Sequence, residues 1–239
     1  MPVQGGTDVL VALNFDRLRP ERILNLNEVS ELRGFAPENG ALRLGSGLTY
    51  AEAMHGRLAE ALPALAEASR TVGSPQIRNR GTIGGNLGTA SPAGDALPPL
   101  FVEGAEVEVS SVRGSRSLGL DEFLLGPKKN ALAEDELIVG VRVEPGGQPQ
   151  TFMKVGPRNA MVIAVCSLAL RANGELRAAY GSAGPVVGLV RAPLEEADSF
   201  ADRVAEAASP IDDVRGTAAY RRHALKVLTT RALERTLAA

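Results

Sequence analysis

The chain has 239 residues, of which 44% are hydrophobic and 23% are charged, and these values predict a packed globular protein of one large or two modest domains. A formal net charge of −2 leaves no basic footprint for nucleic acid or for an anionic lipid surface. The single cysteine, Cys166, excludes an internal disulfide and any iron-sulfur cluster or zinc site held by several thiolates of this chain.

The N-terminal segment, MPVQGGTDVLVAL, has no basic lead-in. Its apolar run is too short for a signal peptide or a membrane span. We therefore expect a cytoplasmic protein with no membrane-spanning segment.

Short strands and helices separated by glycine or proline are predicted for the first third of the chain. Thr49 and Glu52 have the spacing of a capping box, which predicts a helix from residue 50 onward. Pro63 suits the first turn of a further helix and Gly73 its end.

Beyond residue 104 the strand patterns become stronger. GAEVEVSS and DELIVGVRVE alternate or concentrate apolar residues like strands, and GGQPQ at residues 146–150 predicts a loop. Three strand-like runs follow, two of them joined by a hairpin turn at Asn173-Gly174, and the chain ends in a helical segment after residue 216. The pattern predicts an α+β protein rather than a regular βαβ alternation.

The segment from Asn79 to Leu100, NRGTIGGNLGTASPAGDALPPL, concentrates glycines and hydroxyl side chains. It matches neither the P-loop spacing nor the Rossmann spacing. Adjacent glycines such as Gly84-Gly85 allow consecutive backbone N–H groups to form a nest for an anion, with neutral donors on Thr82, Asn86, Thr89 and Ser91 beside it.

Two readings of Asp95 remain open at this point: its carboxylate accepts a hydrogen bond from a sugar hydroxyl, or it caps the helix that follows. A second glycine pair, Gly5-Gly6, precedes Thr7 and Asp8. The two pairs are suited to hold one diphosphate from both sides, whereas the simpler alternative is that both are tight turns.

Several motifs in order resemble the FAD-binding medium subunit of the molybdenum hydroxylases, the family of carbon monoxide dehydrogenase and bacterial xanthine dehydrogenase. They are GGTDVLVAL, IRNRGTIGGNLGTASPAGDALPPL, GPKKNALAEDELIVGVRVE and FMKVGPRNAMVIAVCSLAL. The resemblance implies an FAD-binding domain of the vanillyl-alcohol oxidase type at residues 1–148, with two subdomains divided near residue 40. It also implies a small C-terminal domain of sheet and helices at residues 149–239.

The resemblance also implies which residues bind the cofactor, FAD. Thr89 and Asp95 would contact the ribose or ribityl and the adenosine part of FAD. Leu137 and Ile138 would lie near the flavin ring, and Lys154 would lie at its polar edge. Two segments would surround the diphosphate: Val3, Gln4, Gly5, Gly6, Thr7 and Asp8, and Thr82, Ile83, Gly84, Gly85 and Asn86.

Two departures from the family pattern accompany the resemblance. Family members normally have a strand and a helix before the first glycine pair, whereas only residues 1–4 precede Gly5 in this sequence. We therefore expect the loop around Gly5 to be less well supported than in the family. Many members also have an acid where Val162 stands, so any contact made by that acid is missing.

In such enzymes, electrons pass from a large molybdenum-cofactor subunit through [2Fe-2S] clusters of a small subunit to the flavin subunit, in a dimer of heterotrimers. The resemblance therefore implies an electron-transfer subunit with no catalytic side chain and no metal ligands. His55 and His223 are read as exposed mid-helix residues. The alternatives are an assembly subunit without FAD and a free-standing flavoprotein reductase or oxidase.

Overall fold

The computed structural model describes residues 1–238. A small N-terminal unit begins the chain. Its strands β1 (Pro2–Val3) and β2 (Leu24–Asn25) pair in parallel, with α1 (Val9–Asn14) between them along the chain. No residue of α1 is buried. A 3-10 helix at Ser30–Leu32 follows, and its Leu32 is buried.

A five-stranded antiparallel sheet forms the centre of the first 145 residues. Its strand order is β3-β4-β9-β5-β6, with bounds β3 (Phe35–Glu38), β4 (Ala41–Gly45), β5 (Glu106–Ser111), β6 (Gly114–Gly119) and β9 (Leu137–Val143). Six helices separate β4 from β5: α2 (Tyr50–Ala53), α3 (Gly56–Ala61), α4 (Pro63–Thr71), α5 (Pro75–Arg78), α6 (Ile83–Thr89) and α7 (Leu97–Val102). A short segment of α8 (Leu120–Phe123), β7 (Leu124–Gly126) and β8 (Lys129–Asn130) separates β6 from β9.

The C-terminal part is a four-stranded antiparallel meander covered by two helices. The strands pair in chain order as β10 (Gln150–Val155), β11 (Cys166–Asn173), β12 (Glu175–Gly181) and β13 (Gly188–Ala192). A 3-10 helix at Leu194–Glu196, α9 (Ala197–Ala207) and α10 (Ala218–Leu237) complete it. The architecture confirms the predicted α+β class.

Local sequence signals account for several of these elements. The side chains of Thr49 and Glu52 form the predicted capping box at the start of α2, and Pro63 occupies the first turn of α4. Gly174 has a φ of +71° in the predicted hairpin turn. The prediction that His55 lies within a helix is wrong, because the helix is interrupted there and His55 precedes α3 as an exposed residue in extended backbone.

The meander has a different layer on each of its faces. One face contributes Phe152, Ala169 and Ala179 to the same core as the five-stranded sheet and helices α4 and α7. The other face packs against α9 and α10, and Cys166 is fully buried there, as its apolar surroundings predicted. Because burial strongly disfavours the thiolate, the pKa of Cys166 is raised to about 12.

Glu103 ties the end of α7 to the meander and to the connection that leads into it. Its buried carboxylate accepts hydrogen bonds from the Gly146 backbone N–H (2.6 Å), the Gln150 amide (2.8 Å) and the Arg171 guanidinium (3.1 Å). These donors satisfy both carboxylate oxygens in a buried setting, where an unpaired charge costs several kcal/mol.

The chain passes from the five-stranded sheet to the meander between Val143 and Gln150, whereas Gly40 lies in the β3–β4 turn. The domain limits at 148/149 and near 40 remain predictions.

Candidate functional site

Three glycine-bearing segments distant in sequence meet at one end of the five-stranded sheet. Gly5 packs against the backbone of Arg80, and Gly47 packs against Gln4 and Leu32. At Gly84 an added Cβ would lie 2.6 Å from the Cβ and 2.7 Å from the carbonyl oxygen of Ser46. Gly5 and Gly84 are therefore required where two backbone segments pack closely, and Gly47 leaves space for the Gln4 amide and the Leu32 carbonyl.

The backbone N–H groups at the start of α6 already have acceptors within the chain. Gly84 N–H donates to the Ser46 carbonyl (2.8 Å), and Gly85 N–H donates to the Thr82 hydroxyl (3.0 Å). Ile83 and Asn86 likewise donate to the carbonyls of Leu48 and Thr82. The predicted anion nest at Gly84-Gly85 is thus wrong in its mechanism, because the glycines serve the docking of α6 against the end of β4.

The loop from Gln4 to Asp8 shows the opposite arrangement. None of its five backbone N–H groups donates to an acceptor within residues 1–238. Gly6 has a φ of +75°, a conformation that side chains of other residues rarely adopt. Free N–H groups beside a left-handed glycine are a feature of anion-binding nests, and in this chain they occur at the first glycine pair rather than at Gly84-Gly85.

Helix α6 presents an open, side-chain-poor face beside this loop. Gly85 and Gly88 are exposed, and an added Cβ on Gly88 would lie 3.7 Å from Cδ1 of Ile138. Leu137 is half-buried on the same strand, β9. The Thr89 hydroxyl donates to the Asp8 carboxylate over 2.8 Å and so joins α6 to the N-terminal loop.

Asn86 supplies an unused polar atom between these segments. Its Oδ1 is buried and has no hydrogen-bond partner within the described residues, and Gly94 approaches its side chain so closely that an added Cβ would lie 2.7 Å from Nδ2. Buried polar atoms are almost always paired in proteins. An unpaired buried oxygen therefore marks a place where a ligand donor or an ordered water fits.

Lys154 and Asp95 form a buried ion pair. The ammonium lies 2.5 Å from the Asp95 carboxylate and donates to the Thr71 carbonyl over 3.2 Å, and both side chains are less than a tenth exposed. Burial raises the pKa of Asp95, while the charge of Lys154 opposes that rise. The capping alternative for Asp95 is wrong, because α7 begins after Ala96 and no side chain caps it.

Tyr50 lies among these charges. Its ring packs against Gly81. Burial raises the pKa of the Tyr50 hydroxyl, and the negative charges of Asp95 and Asp8 raise it further. The hydroxyl consequently stays protonated and is available as a donor.

A polar cleft of about 390 Å³ opens where the loop, the end of β4 and the segment before α6 meet. Arg33 and Arg80 bring positive charge to it. Its lining comprises Gln4, Asn27, Arg33, Gly47, Thr49, Ala51, Glu52, Asn79, Arg80 and Thr82. Sequence reasoning did not identify the two arginines, although the second one stands in the basic stretch RNRG directly before the glycine-rich motif.

The structure brings most of the predicted site residues together. The loop residues Val3 to Asp8, the α6 segment and the β9 pair surround one region, linked by the contacts of Gly5, Gly88 and Thr89. Lys154 is joined to Asp95 rather than exposed on its strand. Gly88, Tyr50 and the Gly45-Ser46-Gly47 turn lie beside these residues, and the sequence analysis did not include them in the candidate site.

Comparison with known protein families assigns the chain that carries this site to a family. Residues 1–145 match the family described as "FAD binding domain in molybdopterin dehydrogenase". The chain belongs to this family. FAD is accordingly its cofactor, and the free N–H groups of residues 4–8, the open face of α6 and the unpaired oxygen of Asn86 fit a flavin dinucleotide.

Relatives extend the match over nearly the whole chain. The xanthine dehydrogenase FAD-binding subunit of Escherichia coli O157:H7 is 31% identical over 258 residues, covering 98% of this chain and 88% of that protein. The carbon monoxide dehydrogenase medium chain of Hydrogenophaga pseudoflava is 28% identical, with 96% and 86% covered. The chain is thus an FAD-dependent oxidoreductase subunit of the molybdenum hydroxylase family.

Solved structures agree with this assignment. The carbon monoxide dehydrogenase from Hydrogenophaga pseudoflava that lacks the Mo-pyranopterin moiety has a chain that superposes with a TM-score of 0.90 at 25% identity, covering 100% of this chain and 89% of that chain. Quinoline 2-oxidoreductase from Pseudomonas putida 86 gives a TM-score of 0.90 at 23% identity, with 98% and 88% covered. At 23% identity, the similarity to quinoline 2-oxidoreductase shows a shared fold and nothing more. Within residues 1–238, no helix is both long and apolar enough to cross a bilayer.

Proposed function

We propose that the loop from Gln4 to Asp8 binds the FAD diphosphate through its free backbone N–H groups. This row of unused donors is the observation that carries the proposal. Backbone N–H groups bind a phosphate without bringing a side chain that competes for space. The Asp8 carboxylate remains engaged with Thr89, which holds the loop against α6.

The open face of α6 and strand β9 would hold the flavin ring and the ribityl chain. Gly85 and Gly88 leave room there, and Leu137 and Ile138 offer an apolar wall. Thr82 to Asn86 would shape the site from behind, because their N–H groups serve internal bonds. The amide of Asn86 and the hydroxyl of Thr89 remain as side-chain contacts.

Lys154 would supply a fixed positive charge near the polar edge of the ring. Asp95 and the Thr71 carbonyl hold its ammonium in one place. Such a charge favours the extra electron density of a reduced flavin more strongly in a buried setting than in water. In this arrangement Asp95 acts by positioning Lys154, and the expected contact of Asp95 with a sugar stays a prediction.

The subunit would be the electron exit of a larger enzyme. When bound, FAD supplies chemistry that links one-electron and two-electron transfers. Two relatives are named as a "medium chain" and a "medium subunit", which supports the presence of partner subunits. By the family resemblance these would carry the [2Fe-2S] clusters and the molybdenum cofactor, in a dimer of heterotrimers in the cytoplasm. Successive oxidations of the partner's clusters would provide the electron pair that an external oxidant removes.

Purified protein tests the proposal in two steps. The apoprotein is titrated with FAD, and bound flavin is followed by its absorbance at about 450 nm. A separately purified, reduced [2Fe-2S] small subunit is then mixed with it under anaerobic conditions, and bleaching of that absorbance is expected. No retention of FAD would support the assembly-subunit alternative. Retention without reduction by the small subunit would support a free-standing flavoprotein.

A further inference from the structure

The β7–β8 hairpin has an exposed tip that combines apolar and basic side chains. This lysine hairpin consists of Leu125, Pro127, Lys128 and Lys129. Leu125 is 59% exposed, and the other three residues are also exposed. An exposed cationic tip of this kind attracts an acidic surface and speeds its approach.

The cations of the hairpin lack internal partners. The chain has four lysines, and two of them form ion pairs, Lys154 with Asp95 and Lys226 with Asp202. Lys128 and Lys129 form no salt bridge within residues 1–238. Their charge is therefore available to an acidic surface that approaches the hairpin.

Hydrogen bonds anchor the hairpin to the end of α6, beside the proposed flavin site. The Lys128 N–H donates to the Ala90 carbonyl over 2.9 Å, and the Asn130 amide donates to the Gly88 carbonyl over 2.8 Å. Both acceptors belong to the end of α6, whose open face carries Gly88. Phe123 and Leu124 are buried at the base of the hairpin.

Lys128 adopts a conformation that is costly for its residue type. Its φ is +58°, a left-handed value that costs a residue with a side chain of order 1 kcal/mol or more and that clusters at functional sites. The bond from Lys128 N–H to Ala90, whose own φ is +47°, maintains this geometry. The turn thus presents the two lysines in a defined direction.

We propose that the lysine hairpin is the docking surface for the electron-donating iron-sulfur subunit, which would present carboxylates around an apolar patch near its cluster. The inference rests on the proposed electron-transfer function. Electrons pass efficiently only over short distances, so the donor must dock beside the flavin, and the hairpin is an exposed, unpaired cationic element bonded directly to the helix that forms the flavin site. Each productive encounter would oxidise one partner cluster by one electron and deliver that electron to FAD.

The test compares two charge-reversal pairs in the FAD-loaded protein. K128E/K129E alters the hairpin. R222E/R231E changes the charge equally at two exposed residues of α10 that have no salt bridge within the described chain. The separately purified, reduced [2Fe-2S] small subunit is mixed with each protein at low ionic strength, and the second-order rate of flavin bleaching is measured. Dithionite reduction and FAD content are recorded for every variant.

We expect K128E/K129E to lower the rate about tenfold or more, to lose most of the salt dependence, and to leave FAD content and dithionite reduction unchanged. The α10 pair should stay within about twofold of the unaltered protein. Equal rates for the two pairs would overturn the docking surface while leaving the electron-transfer role intact. If the unaltered protein binds FAD but the small subunit never reduces it, the electron-transfer role fails and the docking surface fails with it.

Discussion

The hydroxyl of Thr89 donates a hydrogen bond of 2.8 Å to the carboxylate of Asp8, 81 positions earlier in the chain. This bond joins the last residue of α6 to the loop whose five N–H groups are free. It therefore connects the part of the site that holds the proposed diphosphate to the part that holds the proposed flavin ring. The contact makes the relative position of the two segments testable.

Replacing Thr89 by valine should weaken FAD binding. Valine keeps the shape of threonine but removes the donor, and loss of one such bond costs about 1 kcal/mol, or roughly a fivefold rise in Kd. Fluorescence titration of the apoprotein with FAD gives the measurement. Thr89→Ser is the matched control and should retain most of the affinity. Equal affinities for Val and Ser would show that the hydroxyl plays no part.

Alanine at Gly84 and at Gly88 should have opposite effects on folding. At position 84 the new methyl group meets Ser46, and such overpacking typically costs about 1–3 kcal/mol. At position 88 it makes ordinary contact with Ile138, and Gly→Ala in a helix stabilises it by about 0.5–1 kcal/mol. Urea unfolding of the two apoproteins distinguishes these outcomes, and similar losses at both positions would contradict the packing described for α6.

A larger side chain at Gly88 should instead impair cofactor binding. Gly88→Val places a branched side chain on the exposed face of α6, where the flavin is proposed to lie, and its Cβ makes only an ordinary contact of 3.7 Å with Ile138 in the apoprotein. We expect a thermal unfolding temperature between those of the unaltered apoprotein and Gly88→Ala, because valine is a better helix former than glycine and a poorer one than alanine, together with a loss of most FAD retained on gel filtration. Full flavin content in this variant would place the ring elsewhere.

Removing Asp95 should destabilise the protein by leaving the ammonium of Lys154 buried without its counter-charge. Breaking one side of a buried ion pair costs about 3–5 kcal/mol, which Asp95→Ala should show in urea unfolding. The double variant D95L/K154M, which replaces the pair by apolar side chains, should recover much of that loss. A double variant as unstable as the sum of its single changes would show that the two groups act independently.

Asp213 predicts a specific pH dependence. Hydrogen bonds from the Arg215 backbone N–H and from the side chains of Arg215 and Arg221 lower the pKa of Asp213 to about 2. A carboxyl group with a lowered folded-state pKa stabilises the native state above its unfolded pKa, and this contribution disappears as pH falls through the folded value. Asp213→Asn should therefore reduce stability at pH 7 and progressively less between pH 4 and pH 2. A constant difference across that range would contradict the pairing.

Much of the fold follows from local sequence signals. The capping box of Thr49 and Glu52, the first-turn Pro63 and the hairpin glycine Gly174 all lie where their spacing predicted. Each of these signals acts over a few residues, so the sequence displays both partners. His55 was predicted to lie within one helix because the residues of α2 and α3 together have the composition of a single continuous helix. In the structure the two helices are separate, and His55 lies between them.

The α+β class, the family and the segments of the candidate site could be predicted from the sequence, because glycine pairs and strand periodicity are local patterns. Which of these segments has free N–H donors became visible only in the folded chain. Gly84 meets its acceptor at Ser46, and Lys154 meets its counter-ion at Asp95, 59 positions away. Hydrogen-bond satisfaction depends on partners that folding brings together, so two glycine pairs that look alike in sequence serve different purposes: one closes the packing of α6, and the other leaves its N–H groups open to a ligand.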